Sequence, residues 1–247
     1  MRWEIVNIMD YGIQLYSVRD LASQDLEAAL KAVAEIGYKY VEFAGFFGND
    51  AETVKGWLDK YGLVCSSTHS SWTELRDDFE GTVKYHKIIG NKNYIIPGAD
   101  LSTPEKLQEF VDFCNEFAPK LAAEGISLQY HNHAHEFHLH EDGQMIYSVL
   151  ECKTDIDLET DTYWLYVGKT NPLAVLDRLK DRIKMIHIKD GDIDGHGKPL
   201  GLGTAPVADV YAKAKEYGML MVVESETCTP SGIEEAKICF DYLKSLE

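Results

Sequence analysis

The chain has 247 residues, of which 45% are hydrophobic, and its formal net charge is −17 at pH 7. This length fits one large domain or two small ones, and the apolar fraction is sufficient for a sizeable core. The acidic balance argues against a nucleic-acid surface, because binding to phosphate backbones requires clustered Lys and Arg. It favours a small substrate that is neutral or is held by a metal ion.

The N-terminal sequence and the cysteines bear on the cellular setting. The segment Met1-Arg2-Trp3-Glu4 lacks the basic and then apolar pattern of a signal peptide. No apolar run approaches the ~20 residues needed to cross a membrane. The five cysteines contain no C-x-x-C pair, which favours buried free thiols over disulfides or a cysteine-rich zinc site. We therefore expect a cytoplasmic protein with no membrane partner.

In chain order, one unit recurs: a helical segment, a glycine and an apolar run. The glycines that separate helix from apolar run are Gly37, Gly62, Gly90, Gly125 and Gly218. Glycine adopts the left-handed conformation that ends a helix more readily than any other residue. We therefore expect helix-to-strand units in series.

About eight strands are predicted from the apolar runs. They lie near Gly12–Tyr16, Tyr40–Ala44, Leu63–Thr68, Tyr94–Pro97, Ile126–His131, Asp155–Leu158, Ile183–Ile188 and Met219–Val223. Helices fall between most of them, and such alternation with buried strands indicates a parallel sheet. Eight units at this length fit a closed (β/α)8 TIM barrel. Residues 1–247 would be a single domain, with Met1–Asp10 as a short extension or an edge segment. An open doubly wound sheet is the alternative.

Polar side chains follow four of these apolar runs: Glu136, Asp161, His187 and Glu224. In a barrel, the carboxyl ends of all strands lie on one face, where such enzymes keep their active sites. Three carboxylates and one imidazole are suitable ligands for Mn²⁺, Mg²⁺, Co²⁺ or Zn²⁺. If these strand ends converge, the four residues form a shared site that suits a divalent ion, and the sequence predicts a metalloenzyme.

Two of these four residues have rivals nearby. His133 competes with Glu136 for a place at the metal or the substrate. Alternation points His131 and His133 to the same side while the strand lasts. Glu159 competes with Asp161, which could also cap a turn.

The remaining candidates are predicted to contact the substrate. His69 follows the third strand and is expected to bind a hydroxyl group. Trp164 is either a core side chain or a wall on which a sugar face stacks. Lys189 and Asp190 lie two and three residues after His187 and are both candidates for the substrate site. Lys189 could contact a substrate oxygen or phosphate, or form a structural ion pair.

Three weaker candidates and a glycine-rich loop complete the site. On the first strand, Gln14 and Tyr16 alternate and could line the pocket. On the second strand, Glu42 sits among apolar residues and could point into the barrel. The segment Pro199–Pro206 contains glycines before a helix, which can cradle phosphate, and barrels often bind phosphate near strands seven and eight. It lacks the Lys and the spacing of a P-loop, so a shaped loop that leads into a helix is the alternative.

These features resemble the xylose-isomerase-like barrels of the sugar phosphate isomerase/epimerase superfamily over nearly the whole chain. The motifs that carry the resemblance are Gln14-Leu15-Tyr16-Ser17, His69, Tyr130-His131-Asn132-His133-x-x-Glu136-Phe137, Asp161-Thr162, His187-Ile188-Lys189-Asp190, Gly201-x-Gly203 and Glu224. By matching motif, the family ligands become Glu136, Asp161, His187 and Glu224. Trp164 stands where epimerase members often carry a histidine.

The resemblance implies a divalent-metal-dependent isomerase or epimerase that acts on sugars or sugar phosphates. Such an enzyme removes a proton next to a carbonyl, and the metal ion stabilises the resulting enediolate. Glu136 and Glu224 would remove and return the proton. His69, His133 and Lys189 would orient hydroxyl groups. Related barrels often pair, which allows a homo-oligomer.

Three other functions are compatible with the same scaffold. The first is a lyase or dehydratase that acts on keto-sugars or keto-inositols, including C-glycoside cleavage with a partner subunit. The second is an endonuclease-like DNA repair enzyme, which the net charge opposes. The third is a non-enzymatic binding protein that kept the barrel, against which a complete set of metal ligands argues.

Overall fold

The computed structural model describes residues 9–139 and 142–247. At its centre is a closed barrel of eight parallel strands. The first seven barrel strands are β1 (Gly12–Gln14), β2 (Tyr40–Phe43), β3 (Val64–His69), β4 (Asn93–Ile96), β5 (Ser127–His131), β6 (Asp157–Asp161) and β7 (Met185–Ile188). An antiparallel ribbon of β8 (Asp190–Gly191) and β9 (Gly197–Lys198) follows β7. The last barrel strand is β10 (Leu220–Val223).

The barrel closes because β1 pairs with both β2 and β10. Each of the other barrel strands pairs with its neighbour in chain order, and β7 pairs with β10. The prediction of a (β/α)8 TIM barrel is confirmed. The predicted extension at Met1–Asp10 lies outside the described residues, except for its last two.

Helices surround the barrel. They are α1 (Arg19–Ala22), α2 (Leu26–Ile36), α3 (Ala51–Tyr61), α4 (Trp72–Asp77), α5 (Phe79–Ile88), α6 (Pro104–Ala123), α7 (Ile146–Lys153), α8 (Thr162–Val167), α9 (Pro172–Leu179), α10 (Val207–Tyr217) and α11 (Gly232–Ser245). Short 3-10 helices cover Leu15–Val18 and His135–Phe137. In the described part of the chain, none of the helices combines the length and the hydropathy that a membrane span requires.

The glycines predicted to end helices have the expected backbone conformation. Their φ angles are 122° at Gly37, 68° at Gly62, 78° at Gly90, 79° at Gly125 and 66° at Gly218. Gly37 is required for two reasons: its positive φ, and the Phe240 ring, which would lie only 2.7 Å from a Cβ at this position. The glycine pattern therefore located these helix ends correctly.

The sixth strand differs from its prediction in a way that matters for the site. It was expected over Asp155–Leu158 but runs over Asp157–Asp161. The apolar pattern ends at Leu158, but the strand continues for three more residues. The side chain of Glu159 lies inside the barrel although it is charged. That carboxylate is fully buried and accepts a hydrogen bond from His69.

The cysteines are all free. Cys65, Cys114 and Cys239 are buried, as expected, whereas Cys152 near the end of α7 is exposed and Cys228 is half-buried. The expectation of buried thiols is therefore wrong for Cys152, because its helix turns this position toward solvent.

One buried histidine outside the site gives a pH-dependent contribution to stability. His86 on α5 is buried, and Asn91 Nδ2 donates a hydrogen bond to its Nδ1 at 3.0 Å. Burial lowers the pKa of His86 to about 4. The unfolded chain therefore binds more protons than the folded protein between pH 6.5 and 4. The free energy of unfolding therefore contains a contribution from neutral His86 that is fully present above pH 6.5. This contribution, about 3 kcal/mol, is lost as the pH falls toward 4.

Urea unfolding at several pH values tests this contribution against the variant His86→Gln, which cannot titrate. We expect the free energy of unfolding to fall more steeply below pH 6.5 in the wild type than in the variant. Parallel curves for the two proteins would show that His86 is not the titrating group.

Candidate functional site

The carboxyl ends of four neighbouring strands bring together four residues that we call the strand-end group. They are His131, Asp161, His187 and Glu224, and each offers a ligand atom within 4.8 Å of those of the others. All four side chains are buried. Three residues that the sequence placed at one metal ion therefore meet, and His131 is the fourth.

Each side chain of the strand-end group is positioned by the end of its strand. His131 is the last residue of β5, Asp161 is the last residue of β6, and Glu224 directly follows β10. His187 lies opposite Asp161 in the β6–β7 register. Asp161 also begins α8, because its Oδ1 accepts a hydrogen bond from the Trp164 backbone N–H at 2.8 Å.

Opposite charges lie close together around this group. His187 Nδ1 is 3.3 Å from Glu224 Oε2 and 4.0 Å from Asp161 Oδ2. The buried Lys189 donates a hydrogen bond to Glu224 Oε2 at 3.3 Å and forms an ion pair with Glu226. Burial opposes ionisation, but Lys189 and His187 hold the pKa of Glu224 well below its ordinary value. Glu224 is therefore ionised at neutral pH. Burial raises the pKa of Asp161 to about 7 despite Lys189.

A deeper layer of carboxylates lies beneath the imidazoles. His187 Nε2 donates to Glu42 Oε1 at 2.7 Å, and His69 Nε2 donates to Glu159 Oε2 at 2.7 Å. Glu42 is itself held by Gln14, whose Nε2 donates to it at 2.6 Å. Both Gln14 and Glu42 are fully buried and bonded to each other inside the barrel, as expected for these two residues. The bond to Glu42 keeps a proton on His187 Nε2 and leaves Nδ1 facing the strand-end group.

The donor set fits a divalent ion. Among the described residues, the buried atoms of the strand-end group that have no hydrogen-bond partner are His131 Nδ1 and Asp161 Oδ2. Buried polar atoms are normally satisfied, so these two atoms are available to bind an ion. Burial, with His187 nearby, lowers the pKa of His131 to about 3, which keeps its imidazole neutral. Neutral imidazole and carboxylate oxygens are ligands for Mn²⁺, Co²⁺ and Zn²⁺.

Glu136 lies outside the strand-end group. It sits in a 3-10 helix after β5, where its Oε1 accepts a hydrogen bond from the Tyr130 hydroxyl at 2.8 Å. Its Oε2 accepts from the backbone N–H of His133 at 2.9 Å. The loop turns this carboxylate back toward its own strand, so Glu136 holds the conformation of the loop that carries His133. His131, inside β5, occupies the position at the group that the sequence had given to Glu136.

A cavity of about 400 Å³ opens beside the strand-end group. Its lining residues are Tyr16, Ala44, His69, Pro97, His131, His133, Glu224 and Glu226. The His133 side chain is 38% exposed, and its ring lies 5.9 Å from that of Trp164. Lys189 Nζ lies 4.6 Å from the Trp164 ring centroid. His69 and His133 thus line the cavity, while Trp164 and Lys189 contact lining residues.

A larger cavity, of about 590 Å³, lies at the opposite end of the barrel. It is bordered by Ser127 and Asp157, the first residues of β5 and β6. Active sites of such barrels lie at the carboxyl ends of the strands, so size alone does not identify the functional cavity.

Asp190 faces the glycine-rich loop rather than the cavity. Its Oδ2 accepts hydrogen bonds from the N–H groups of Gly201 at 2.9 Å and Gly203 at 3.0 Å. Its Oδ1 accepts from the N–H groups of Gly191 at 2.8 Å and Ala205 at 3.2 Å. A Cβ at Gly203 would lie 2.3 Å from Asp190 Oδ1, so this approach requires glycine. Asp190 therefore holds the conformation of the loop. The sequence predicted that Asp190 contacts the substrate, whereas its carboxylate oxygens accept hydrogen bonds from the loop.

Two buried residues of the site, His131 and Glu159, are not among the four ligands predicted from the sequence. His131 is the last residue of the predicted fifth strand, so its position on the strand was a usable signal. Glu159 was considered only as a rival of Asp161, whereas both are buried and occupy successive inward positions of β6.

Comparison with known proteins places these features in a family context. The sequence model of the family described as xylose isomerase-like TIM barrel matches residues 30–246. A protein of Geobacillus kaustophilus named inosose dehydratase is 26% identical, over 66% of this chain and 61% of that protein. The match therefore spans less than two thirds of that relative.

Two solved structures from Parabacteroides distasonis, each named sugar phosphate isomerase/epimerase, are also similar. One has a TM-score of 0.83 and 21% identity, over 97% of this chain and 96% of that chain. The other has a TM-score of 0.81 and 26% identity, over 94% of this chain and 96% of that chain. The first of these structures, at 21% identity, shows a similarity of fold alone.

Proposed function

Since this chain belongs to the xylose isomerase-like TIM barrel family, we propose that it is a divalent-metal-dependent isomerase or epimerase of a carbohydrate. The reaction removes a proton from the carbon next to a carbonyl group. The observation that carries the proposal is the strand-end group, whose four potential ligands converge beside the cavity. The similar Parabacteroides distasonis protein at 26% identity, which is named sugar phosphate isomerase/epimerase, agrees with it.

We assign the ion to His131, Asp161, His187 and Glu224. When bound there, a divalent ion supplies Lewis-acid polarisation of the substrate carbonyl and the neighbouring hydroxyl. His187 would bind through Nδ1, because Glu42 accepts the proton on Nε2. Asp161 would bind through Oδ2, since its Oδ1 is used in capping α8.

Glu224 is the group that we propose moves the proton. It lines the cavity, and its low pKa keeps it in the form that accepts a proton. Lys189 holds the same carboxylate in place. One base can carry a proton between adjacent carbons on one face of a sugar, which suffices for aldose–ketose isomerisation.

Epimerisation needs a second proton-moving group on the opposite face of the substrate. His133 is the proposed group, because it lines the cavity and burial lowers its pKa, which keeps the ring neutral and able to accept a proton. His69, held by Glu159, would bind a hydroxyl group.

A dehydratase is the second candidate, and the sequence similarity to the inosose dehydratase favours it. The same proton removal would be followed by loss of the hydroxyl group on the next carbon. That hydroxyl must be protonated as it leaves, and His69 or His133 in the cavity lining could supply the proton.

Solvent hydrogen exchange tests the shared step. Protein loaded with Mn²⁺, Mg²⁺ or Co²⁺ is incubated in D₂O with free ketoses, sugar phosphates and keto-inositols, and proton NMR follows the substrates. We expect deuterium to enter next to the carbonyl of at least one substrate, only when the ion is present. Loss of water would identify the dehydratase. No exchange with any substrate would overturn the proposal.

The carboxylate behind His187 should tune metal affinity. Replacing Glu42 by Gln removes the charge that holds the Nε2 proton, so we expect Mn²⁺ binding to weaken by about 10- to 100-fold. Isothermal titration calorimetry measures this change in the purified protein.

Glu235→Gln is the matched control. Glu235 is equally buried, but its carboxylate accepts hydrogen bonds from Thr227 and Cys228. Its replacement should leave the Mn²⁺ dissociation constant near that of the wild type. Equal affinities in the Glu42 and Glu235 variants would contradict the positioning role of Glu42.

A further inference from the structure

We infer that the substrate is an unphosphorylated carbohydrate. This inference rests on the proposed function and narrows it, because the family context leaves sugars and sugar phosphates equally open. Two features of the described residues carry it: the N–H groups of the loop that could bind a phosphate already donate to Asp190, and no Lys or Arg lines the cavity.

The glycine-rich loop before α10 is closed by the protein's own carboxylate. In barrels of this kind, backbone N–H groups after strands seven and eight often bind a phosphate group. Here the N–H groups of Gly201, Gly203 and Ala205 all donate to Asp190. The carboxylate is buried and occupies the place of an anion. To bind these N–H groups, a phosphate would first have to displace the Asp190 carboxylate, which belongs to the same chain.

In the part of the chain that the structure describes, the cavity also offers no ammonium or guanidinium group to a phosphate. None of its eight lining residues in the described chain is Lys or Arg, and two are glutamates. The buried Lys189 is already paired with Glu224 and Glu226. The guanidinium of Arg19 donates to the backbone carbonyls of Tyr16 and Glu226.

The site is already rich in negative charge without a phosphate. Its buried or ion-paired carboxylates are Glu42, Glu159, Asp161, Glu224 and Glu226, whose five formal negative charges exceed the three positive charges of Lys189 and one divalent ion. A phosphate dianion would therefore add negative charge to a site that already has an excess of it, in a protein whose formal net charge is −17. Specific phosphate sites usually supply Arg or Lys for charge-assisted hydrogen bonds.

The lining instead suits a neutral polyol. Tyr16, Ala44 and Pro97 offer apolar surface to the C–H faces of a sugar, and Tyr16 is 44% exposed. His69 and His133 offer imidazole nitrogens to hydroxyl groups. This combination of a few polar groups on an apolar wall is typical of small-molecule sites.

Paired ligands test the inference on the wild-type protein. D-Fructose is compared with D-fructose 6-phosphate, and D-xylulose with D-xylulose 5-phosphate, by turnover of the Mn²⁺-loaded enzyme. Phosphorus NMR titration with inorganic phosphate measures anion binding without any turnover. We expect kcat/KM to be at least about tenfold higher for the free sugars, and inorganic phosphate to bind no tighter than about 10 mM.

The outcomes separate the inference of an unphosphorylated substrate from the proposed function. Preference for the phosphate esters, or millimolar or tighter binding of inorganic phosphate, would overturn the inference and leave the proposed function intact. No turnover of any sugar would count against the proposed function, while the phosphate titration would still decide the inference.

A variant tests whether the Asp190 carboxylate is what prevents phosphate from binding to the loop N–H groups. Asp190→Ala opens the loop N–H groups, so we expect inorganic phosphate to raise its Tm relative to chloride at equal ionic strength. The wild type and the control Asp192→Ala, whose carboxylate pairs with Lys198, should not respond. An equal response in all three proteins would refute this role. Should Asp190→Ala not fold, the wild-type titration alone decides the inference.

Discussion

Replacing Glu224 by Gln is expected to lower kcat by about 1,000-fold while the barrel remains folded. The amide cannot accept a proton from the substrate carbon, and it is a poorer ligand for a divalent ion than a carboxylate. Glu224 directly follows β10 and has an unusually low pKa, so it is ionised and placed at the cavity wall. Steady-state kinetics on the substrate found by solvent exchange measures the loss.

The matched control for this variant is Glu216→Gln on the exposed face of α10. Glu216 forms only a surface ion pair with Lys213, at 3.4 Å. Its replacement should leave kcat and the thermal unfolding temperature unchanged. Retained turnover in the Glu224 variant, with an unchanged pH profile, would remove Glu224 from the reaction.

Replacing His131 by Gln is expected to weaken Mn²⁺ binding by about 100-fold or more, whereas Glu136→Gln should leave it nearly unchanged. His131 offers a ligand atom within 4.8 Å of the atoms of Asp161, His187 and Glu224. Glu136 instead accepts hydrogen bonds at 2.8 and 2.9 Å that stabilise its own loop.

The two variants should separate metal binding from stability. Calorimetric titration gives the Mn²⁺ affinity, and thermal unfolding of the metal-free proteins gives the stability. We expect Glu136→Gln to lower the Tm, because the buried Tyr130 hydroxyl loses a charged acceptor. Weak Mn²⁺ binding in the Glu136 variant, with normal binding in the His131 variant, would restore the ligand set read from the sequence.

The fold could be predicted from the sequence because its signals are local. A glycine at a helix end reports a backbone conformation that few other residues adopt, as the positive φ at Gly62 and Gly218 confirms. Counting the apolar runs, five of which follow such glycines, gave the number of strands. Parallel strands then placed Asp161, His187 and Glu224 on one face, where the structure brings them together.

The position of Glu136 could not be predicted because no periodicity extends beyond the end of β5. Its direction depends on a 3-10 turn and on the distant packing of Tyr130, whose ring contacts Phe110 on α6. The deeper carboxylates were difficult for a different reason. Glu42 and Glu159 interrupt the apolar pattern of buried strands, and only their imidazole partners across the barrel explain their burial.

The central claim is that one divalent ion lies on the strand-end group. The most direct test is an anomalous difference map from crystals of the protein grown with Mn²⁺, recorded at a wavelength where manganese scatters anomalously. We predict one peak, about 2.0–2.4 Å from atoms of His131, Asp161, His187 and Glu224. A peak bound to Glu136 instead, or no peak at this face of the barrel, would contradict the account.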